Sequence, residues 1–372
     1  MGRVRYIIIG AGAVGGTMGG CLFQGGHDVV LVARGAHLDA LRSRGLTLAT
    51  PLGTDTLDIP AVGGPSELTL RAGDVLVLST KGQDTAGVLD DWAWQPVRGT
   101  VDVAPAATAL PIVCAQNGVA NEGFALRRFR HVYGMCVWLP ATHLEPGTVA
   151  AQGRPLAGLL PIGRYPSGTD ATAGQIGEDL ARSRFLAPVT SDVMRWKYGK
   201  LLSNLDNAVE ALCGPEARFS DDAQPLRERA RAEALAVLEA ARIDYASAEE
   251  IRAARGSSVG IGEINGSTRA GGSSWQSLSR GTGTIEADFL NGEIALLGRW
   301  HGVPTPVNEA LQAMANQAAR QRRAPGSLAP GEILAAAVAC STGLVTVRED
   351  GNGEDCLALR LGQPAQQASQ LP

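Results

Sequence analysis

A glycine-rich segment directly after the first apolar run constrains the fold of this chain most. The run "VRYIII" is followed by Gly10, Gly12 and Gly15, and a helix-compatible stretch and a second apolar run, "DVVLVA", come next. Glycines at this spacing permit a tight turn, close approach of the backbone to a pyrophosphate and close packing of a helix on a strand. The segment therefore predicts a dinucleotide-binding turn rather than a merely flexible loop. A signal peptide also begins with basic and apolar residues, but the glycine spacing and the second strand favour the dinucleotide interpretation.

Short apolar runs recur through the first half of the chain. They read "RYIIIG", "HDVVLVAR", "DVLVLST" and "LPIVCAQNG", with helix-length segments between some of them. This alternation predicts a parallel, doubly wound sheet, whose ligands bind at the carboxyl ends of the strands. The later stretch "YGMCVWLPATHLEPGTVAAQGRPLAGLLPIG" is expected to supply the remaining strands. We expect residues 1–190 to form a Rossmann domain that binds a dinucleotide.

Three polar residues follow apolar runs and are candidates for cofactor or substrate contacts. Arg34 ends the second run, where an acid that binds ribose is usual, and a guanidinium there suits a 2'-phosphate. NADP(H) is therefore favoured over NAD(H), the alternative for Arg34 being a solvated charge. Lys81 follows the third run and Asn117 the fourth. Their alternatives are a surface cation and an ordinary Asn-Gly turn.

The second half becomes helical near Ser191. The stretch "VMRWKYGKLLSNLDNAVEALCG" contains no proline and predicts one helix of about 20 residues, with an apolar stripe on one face. Lys200, Asn204 and Asn207 fall on an adjacent face, which is either solvated or the wall of a cleft. Three further helices make residues 191–325 an all-α domain, and "GSTRAGGSSWQSLSRGTGT" is expected to be a loop or a frayed helix end. Residues 326–372 are expected to add a helix, a hairpin and a tail.

Lysine is rare in this chain, and this makes its positions informative. Only Lys81, Lys197 and Lys200 occur, against thirty arginines. Because arginine stays protonated while lysine can release a proton, lysine suits a general acid for a carbonyl oxygen. Lys197, one turn before Lys200, either lowers the pKa of Lys200 by repulsion or points to solvent, and the solvent position is favoured.

Composition excludes several classes of function. A net charge of −4 and a pI of about 5.8 provide no basic field for nucleic acid. The six cysteines form no CxxC pair and the five histidines show no metal-ligand spacing, so we expect a metal-free protein in the cytoplasm. Beyond the N-terminus no segment approaches the ~18 apolar residues of a membrane span.

Taken together, the motifs resemble one enzyme family. "GAGAVGG", Arg34, "TKGQDT", "AQNGVANE", "WKYGKLLSN" and "SSWQ…TIEADFLNG" occur in the order and spacing of the ketopantoate reductase family, across residues 4–325. The resemblance implies NADPH-dependent reduction of 2-dehydropantoate (ketopantoate) to pantoate. It also implies a Rossmann domain, a helical domain like that of 6-phosphogluconate dehydrogenases, an active site between them and a possible homodimer.

The resemblance also implies roles for individual residues. By position they are Lys200 as catalytic lysine, Glu286 as the acid near the substrate, Asn204 as a substrate-binding residue, Ser274 as the serine that grips the substrate carboxylate, Asn117 near the nicotinamide and substrate, Lys81 in the cofactor cleft and Arg34 at the 2'-phosphate. One departure concerns Ala208, where many members carry an asparagine that here stands at Asn207. A related reductase of another small 2-oxo acid is therefore the alternative. A non-catalytic NADP-binding sensor is disfavoured by Lys200 and Glu286.

Overall fold

The computed structural model describes residues 4–99, 103–143, 145–266 and 271–341. These residues form eighteen strands: β1 (Arg5–Ile9), β2 (Asp28–Val32), β3 (Leu46–Thr50), β4 (Gly53–Leu57), β5 (Ala61–Val62), β6 (Leu70–Arg71), β7 (Asp74–Leu78), β8 (Pro96–Arg98), β9 (Ala104–Pro105), β10 (Pro111–Cys114), β11 (His131–Met135), β12 (Ala141–Thr142), β13 (Thr148–Ala151), β14 (Gly153–Pro155), β15 (Gly158–Leu159), β16 (Ile162–Arg164), β17 (Phe185–Leu186) and β18 (Val259–Ile261).

The same residues form fourteen α-helices: α1 (Ala13–Gln24), α2 (Gly35–Arg44), α3 (Thr85–Ala93), α4 (Ala106–Ala109), α5 (Asn121–Leu126), α6 (Ala171–Arg182), α7 (Val193–Asn204), α8 (Asp206–Cys213), α9 (Gln224–Ala240), α10 (Ala248–Arg255), α11 (Ser273–Ser279), α12 (Asn291–His301), α13 (Pro306–Arg320) and α14 (Pro330–Ser341). None of the helices in the described part of the chain combines the length and the apolar character that a membrane span requires.

The predicted parallel sheet is the centre of the first half. Its strand order is β16-β11-β10-β7-β1-β2-β5, with parallel pairing throughout except for β16, which closes one edge antiparallel to β11. Alternate residues of β1 face opposite sides, so Ile8 packs into one hydrophobic core with Met18 of α1, and Ile7 into another with Trp92 of α3. Burial on both faces explains the continuous apolar runs.

The stretch expected to complete this sheet does so only in part. β11 and β16 join it, whereas β12 and β13 form a second sheet of order β12-β13-β3-β4. Val149 of β13 lies against α1 at Gly16, where a Cβ atom would approach Val149 Cγ1 to 2.8 Å. The small residue on α1 thus lets this second sheet pack closely over the helix.

The helical half begins at α7, whose N-cap Asp192 accepts a hydrogen bond from the Arg195 amide. The predicted single helix is divided into α7 and α8 at Leu205, although Leu205 itself keeps right-handed helical angles. Its apolar stripe is buried as predicted, with Leu201 and Leu212 both fully enclosed. The stretch expected to be a loop contains α11, and β18 pairs with β14 of the first half.

α14 packs on α13 and places Ile333 in the helical core. The expected hairpin and tail lie outside the described residues.

Candidate functional site

A cavity of about 1370 Å³ runs between the two halves of the chain. On one side it is lined by residues at the carboxyl ends of β1, β2, β7 and β10, including Gly10, Arg34 and Lys81. On the other side it is lined by α7, α8 and α11, including Lys200, Asn204 and Ser273. The face of α7 that carries Lys200 and Asn204 is thus a cleft wall.

The glycine turn has the geometry needed to hold a pyrophosphate. Gly10 has a φ of +104°, which favours glycine, and a Cβ atom on Gly15 would lie 2.2 Å from the Gly10 carbonyl oxygen. At Gly12, by contrast, a Cβ atom would meet nothing within 4 Å, so the backbone here faces open space. Gly12 precedes α1 and makes no side-chain cap, which leaves the helix N-terminus to attract an anion. These residues fit a bound dinucleotide.

Arg34 lies at the far end of the cofactor half of the cavity. It is exposed at the N-cap of α2, and Gly63 and Gly64 line the cavity beside the end of β2. His37, one turn into α2, accepts a hydrogen bond at Nδ1 from the Gly147 amide at 2.8 Å, and its Nε2 lies 2.8 Å from the Ala11 carbonyl oxygen. Burial lowers the pKa of His37, so the neutral ring that these two bonds require is favoured.

Lys81 and Glu286 form a contact across the cleft. Lys81 Nζ donates to Glu286 Oε2 at 2.6 Å, and the Gly82 amide donates to Glu286 Oε1 at 3.0 Å. Glu286 is buried, and both of its oxygens are therefore bound to the loop after β7. Both residues line the cavity, so the pair joins the helical half to the sheet beside the expected nicotinamide region.

Asn117 follows β10 and also lines the cavity. Its carbonyl accepts a hydrogen bond from Asn121 Nδ2 at 3.0 Å, and the next residue, Gly118, has a φ of +78°. A Cβ atom on Gly118 would lie 2.8 Å from the Phe289 carbonyl oxygen, so glycine allows the helical half to approach this turn closely. Asn117 therefore belongs to a turn that lines the cleft and not to an isolated surface turn.

Lys200 and Asn204 lie one helical turn apart on the wall formed by α7. Lys200 Nζ lies 4.1 Å from the ring centroid of Trp138, a cation–π contact that holds the ammonium group at the cavity. Asn204 is 2% exposed, and its Nδ2 has no hydrogen-bond partner among the residues that the structure describes. A buried amide without a partner is costly, so this donor fits an oxygen of a bound ligand.

The two adjacent serines of α11 differ in position. Ser274 is 2% exposed and is not among the residues that line the cavity, whereas Ser273 is. Because neighbouring residues of a helix point about 100° apart, only one of the two can face the cleft. Ser273 Oγ accepts a hydrogen bond from Asn207 Nδ2 at 3.3 Å, which leaves its hydroxyl hydrogen free to point elsewhere. Of the two serines, Ser273 is thus the one that lines the cavity, and Ser274 is buried beside it.

The expectation that Lys197 points to solvent is wrong. Lys197 is 3% exposed, forms an ion pair with the fully buried Glu122 and donates to the Gln116 carbonyl oxygen at 3.0 Å. Burial raises the pKa of Glu122, and Lys197 opposes that rise. The positive charge of Lys197 is thus compensated by a carboxylate, which weakens the repulsion that it could exert on Lys200.

Several functional candidates were missed in the sequence. No sequence motif marks Glu122 or Trp138. Glu122 pairs with Lys197, and Trp138 contacts Lys200, only because elements that are far apart in the chain come together in the fold. The carboxylate of Glu210, three residues after Asn207, also lines the cavity. Continuing the spacing of Lys200, Asn204 and Asn207 by one more turn of helix would have identified it.

Comparison with known proteins agrees with this arrangement. Residues 6–166 match the family described as Ketopantoate reductase PanE/ApbA, and residues 192–319 match its C-terminal domain, Ketopantoate reductase PanE/ApbA C terminal. The 2-dehydropantoate 2-reductase of Archaeoglobus fulgidus is 28% identical over 312 residues, which cover 82% of this chain and 95% of that protein. That of Pyrococcus horikoshii is 30% identical over 203 residues, or 54% of this chain and 61% of the relative's length.

A solved structure gives the same result. The PanE/ApbA family ketopantoate reductase from Ralstonia eutropha JMP134 superposes with a TM-score of 0.69 at 25% sequence identity, covering 86% of this chain and all of that chain. Together with the dinucleotide cleft, the family indicates a nicotinamide cofactor. The two matched domains and the fold lead to one conclusion: the chain belongs to the ketopantoate reductase family and is an oxidoreductase of that kind.

Proposed function

We propose that this protein catalyses the NADPH-dependent reduction of 2-dehydropantoate to pantoate, with Lys200 as the general acid. One observation carries the proposal: the Lys200 ammonium and Asn204, whose Nδ2 has no hydrogen-bond partner in the described part of the chain, lie on adjacent turns of α7 and line the same cavity as the glycine turn. A cation and an amide donor on one wall match the two oxygen-bearing groups of a 2-oxo acid, its carbonyl and its carboxylate.

In this proposal the residues bind the substrate before they transfer a proton. Asn204 Nδ2 and the hydroxyl of Ser273 donate to the carboxylate and neighbouring oxygen atoms of the substrate. Ser273 takes the role expected for Ser274, because Ser273 is the serine that lines the cavity. Lys200 Nζ donates to the keto oxygen, so negative charge that develops on this oxygen meets a fixed cation.

The reaction then requires one hydride and one proton. When bound, the nicotinamide supplies the hydride to the keto carbon. Lys200 gives a proton from Nζ to the oxygen, which becomes the product hydroxyl, and regains a proton from water. Trp138 holds the ammonium in place through the contact at 4.1 Å, and this cation–π attraction favours the return of the proton to Nζ after each turnover. Lys81 and Glu286 keep the two walls of the cleft in register beside the nicotinamide.

The preference for NADPH is carried by Arg34. It lies at the carboxyl end of β2, where a carboxylate would repel a 2'-phosphate and a guanidinium attracts it. The glycines Gly63 and Gly64 beside it leave room for the phosphate on this part of the cavity wall.

A steady-state assay tests the proposed function. NADPH oxidation is followed at saturating cofactor with 2-dehydropantoate and a small panel of branched and straight-chain 2-oxo acids. We expect the highest kcat/KM with 2-dehydropantoate. A much higher value with another member of the panel would reassign the substrate, and no oxidation with any of them would refute the proposal.

A further inference from the structure

Glu210 places a buried carboxylate on the substrate side of the cavity. Its side chain belongs to α8, the residue is 5% exposed, and Oε1 accepts a hydrogen bond from the Gly272 amide at 2.9 Å. Oε2 has no hydrogen-bond partner among the described residues. The Arg218 guanidinium lies 3.9 Å from Oε2, beyond hydrogen-bond distance, and is itself 42% exposed. Glu210 thus lines the cavity, and its Oε2 is buried and accepts no hydrogen bond from the described residues.

A second acceptor lies beside it. A Cβ atom on Gly272 would be 2.5 Å from Glu210 Oε2 and 3.4 Å from Asn207 Oδ1, so both oxygens lie close to one point. The other end of the Asn207 amide donates to Ser273 Oγ. Because Nδ2 is the atom that faces Ser273, Oδ1 is the atom of the Asn207 amide that lies near Glu210. The two acceptors, Glu210 Oε2 and Asn207 Oδ1, therefore lie next to the serine proposed to bind the substrate carboxylate. Any residue larger than glycine at position 272 would displace the Glu210 carboxylate.

Two acceptors next to a carboxylate-binding serine restrict the ligand. A 2-oxo acid with a purely apolar side chain would leave the buried Glu210 Oε2 without a hydrogen-bond donor, since the Arg218 guanidinium stands 3.9 Å away, and a buried carboxylate oxygen without a donor is unfavourable. A substrate with a hydroxyl group a few bonds from its carboxylate would donate to this oxygen. Sites built to hydrogen-bond a substrate hydroxyl discriminate strongly against analogues that lack it.

We infer that Glu210, assisted by Asn207, is a specificity-determining residue that accepts a hydrogen bond from a hydroxyl group on the side chain of the 2-oxo acid. The inference rests on the proposed function, because it takes the substrate to be a 2-oxo acid bound through Ser273 and Lys200. The inference narrows the substrate class from 2-oxo acids in general to 2-oxo acids that carry a hydroxyl group, of which 2-dehydropantoate with its 4-hydroxyl group is one.

The test compares two substrates that differ only in this hydroxyl group. They are 2-dehydropantoate, which is 4-hydroxy-3,3-dimethyl-2-oxobutanoate, and 3,3-dimethyl-2-oxobutanoate. The ratio of their kcat/KM values is measured for wild type, Glu210→Gln and Glu210→Leu. Glu210→Gln keeps an oxygen for the Gly272 amide and replaces the free acceptor by a donor. Glu239→Gln, which changes an exposed glutamate on α9, is the matched control.

We expect wild type and Glu239→Gln to favour the hydroxylated substrate by about 10- to 100-fold, and Glu210→Gln to lose most of this preference. The loss should arise from 2-dehydropantoate, with the value for the deoxy analogue nearly unchanged. An equal decrease for both substrates, or an unchanged ratio, would overturn the inference. NADPH affinity, measured by fluorescence titration, establishes that each variant is folded.

Failure of the proposed function has a different signature. If wild type oxidised NADPH with neither substrate, the binding of pantoate and of 2-hydroxy-3,3-dimethylbutanoate would be measured by calorimetry in the presence of NADP⁺. Tighter binding of pantoate that disappears in Glu210→Gln would support the hydroxyl site although turnover is absent. Equal or undetectable binding of both acids would overturn the inference.

Discussion

The buried pair of Lys197 and Glu122 allows the most quantitative prediction. Lys197→Met removes the cation, which leaves a fully buried carboxylate without its partner and the Gln116 carbonyl oxygen without a donor. Removing one partner of a buried ion pair typically destabilises a protein by about 3 to 5 kcal/mol. We therefore expect Lys197→Met to lower the free energy of unfolding by an amount in this range.

A double variant tests whether the lost stability comes from the unpaired charge of Glu122. In Lys197→Met combined with Glu122→Gln no unpaired charge remains, so the double variant should be more stable than Lys197→Met alone. The matched control is Arg195→Met on the same helix, since the Arg195 guanidinium pairs with Asp244 and Glu250 at the protein surface. Exposed ion pairs contribute little, so this control should unfold almost as wild type does.

The assay is unfolding in urea, followed by tryptophan fluorescence and circular dichroism, at pH values from 7 to 5. Burial raises the pKa of Glu122, and loss of Lys197 removes the group that opposes this rise. In Lys197→Met the protonated form of Glu122 therefore favours the folded state, an effect fully present below the unfolded pKa and lost as pH rises through the folded pKa. The deficit of the variant should shrink as the pH falls from 7 to 5.

Two results would refute this reasoning. The first is a Lys197→Met variant whose free energy of unfolding at pH 7 lies within about 1 kcal/mol of the wild-type value. A loss this small is typical of exposed ion pairs, so water would then have to reach the pair of Lys197 and Glu122. A deficit that stays constant with pH would mean that Glu122 does not take up the proton.

Three further predictions concern the reaction and the cofactor. Lys200→Arg should preserve NADPH binding but lower kcat by about 10²- to 10⁴-fold, the usual contribution of a general acid, and near-native turnover in a stopped-flow assay would leave Lys200 as an electrostatic anchor only. Arg34→Ala should raise the Kd for NADPH by roughly 10- to 100-fold, through loss of a charge-assisted contact, while that for NADH changes little; equal changes in the two fluorescence titrations would contradict the assignment. NADPH affinity should fall in acid, because only the neutral ring of His37 can accept the hydrogen bond from the Gly147 amide. Burial lowers the pKa of His37 in the folded protein below the ordinary histidine value of 6.5. The hydrogen bond is therefore kept above pH 6.5 and is lost as the pH falls through the folded pKa. His37→Gln should flatten that pH dependence, and an identical profile for the variant would assign the effect to another group.

Much of the first half could be predicted because its signals are local. The apolar runs that became β1, β2, β7 and β10 are buried on both faces, and this burial requires apolar side chains at every position rather than at alternate ones. Glycine is required locally at Gly10, by its φ of +104°, and at Gly15, by the closeness of the Gly10 carbonyl oxygen. The residues after each run lie together at one sheet edge because the strands are parallel. For the same reason the sequence could identify Arg34, Lys81 and Asn117 as cleft residues.

The sequence alone also placed Lys200 and Asn204 on one face of α7, since helix periodicity brings residues four apart to the same side, and that face lines the cavity. What it could not determine was the position of a side chain relative to distant elements. Ser273 and Ser274 are adjacent and chemically identical, and only the packing of α11 against α8 decides which one faces the cavity.

The same limit applies to the buried charges. Lys197 resembles a surface cation in the sequence, and it is buried only because Glu122, 75 residues earlier, is brought to it by the packing of α7 against the sheet. Glu210 is an ordinary helix residue until Gly272, the residue that precedes α11, approaches it. The free energy of a buried charge depends on its partner and on the exclusion of water, and both are properties of the tertiary structure. Local geometry was therefore determined by the sequence, whereas the pairing and exposure of its charged groups were decided by the fold.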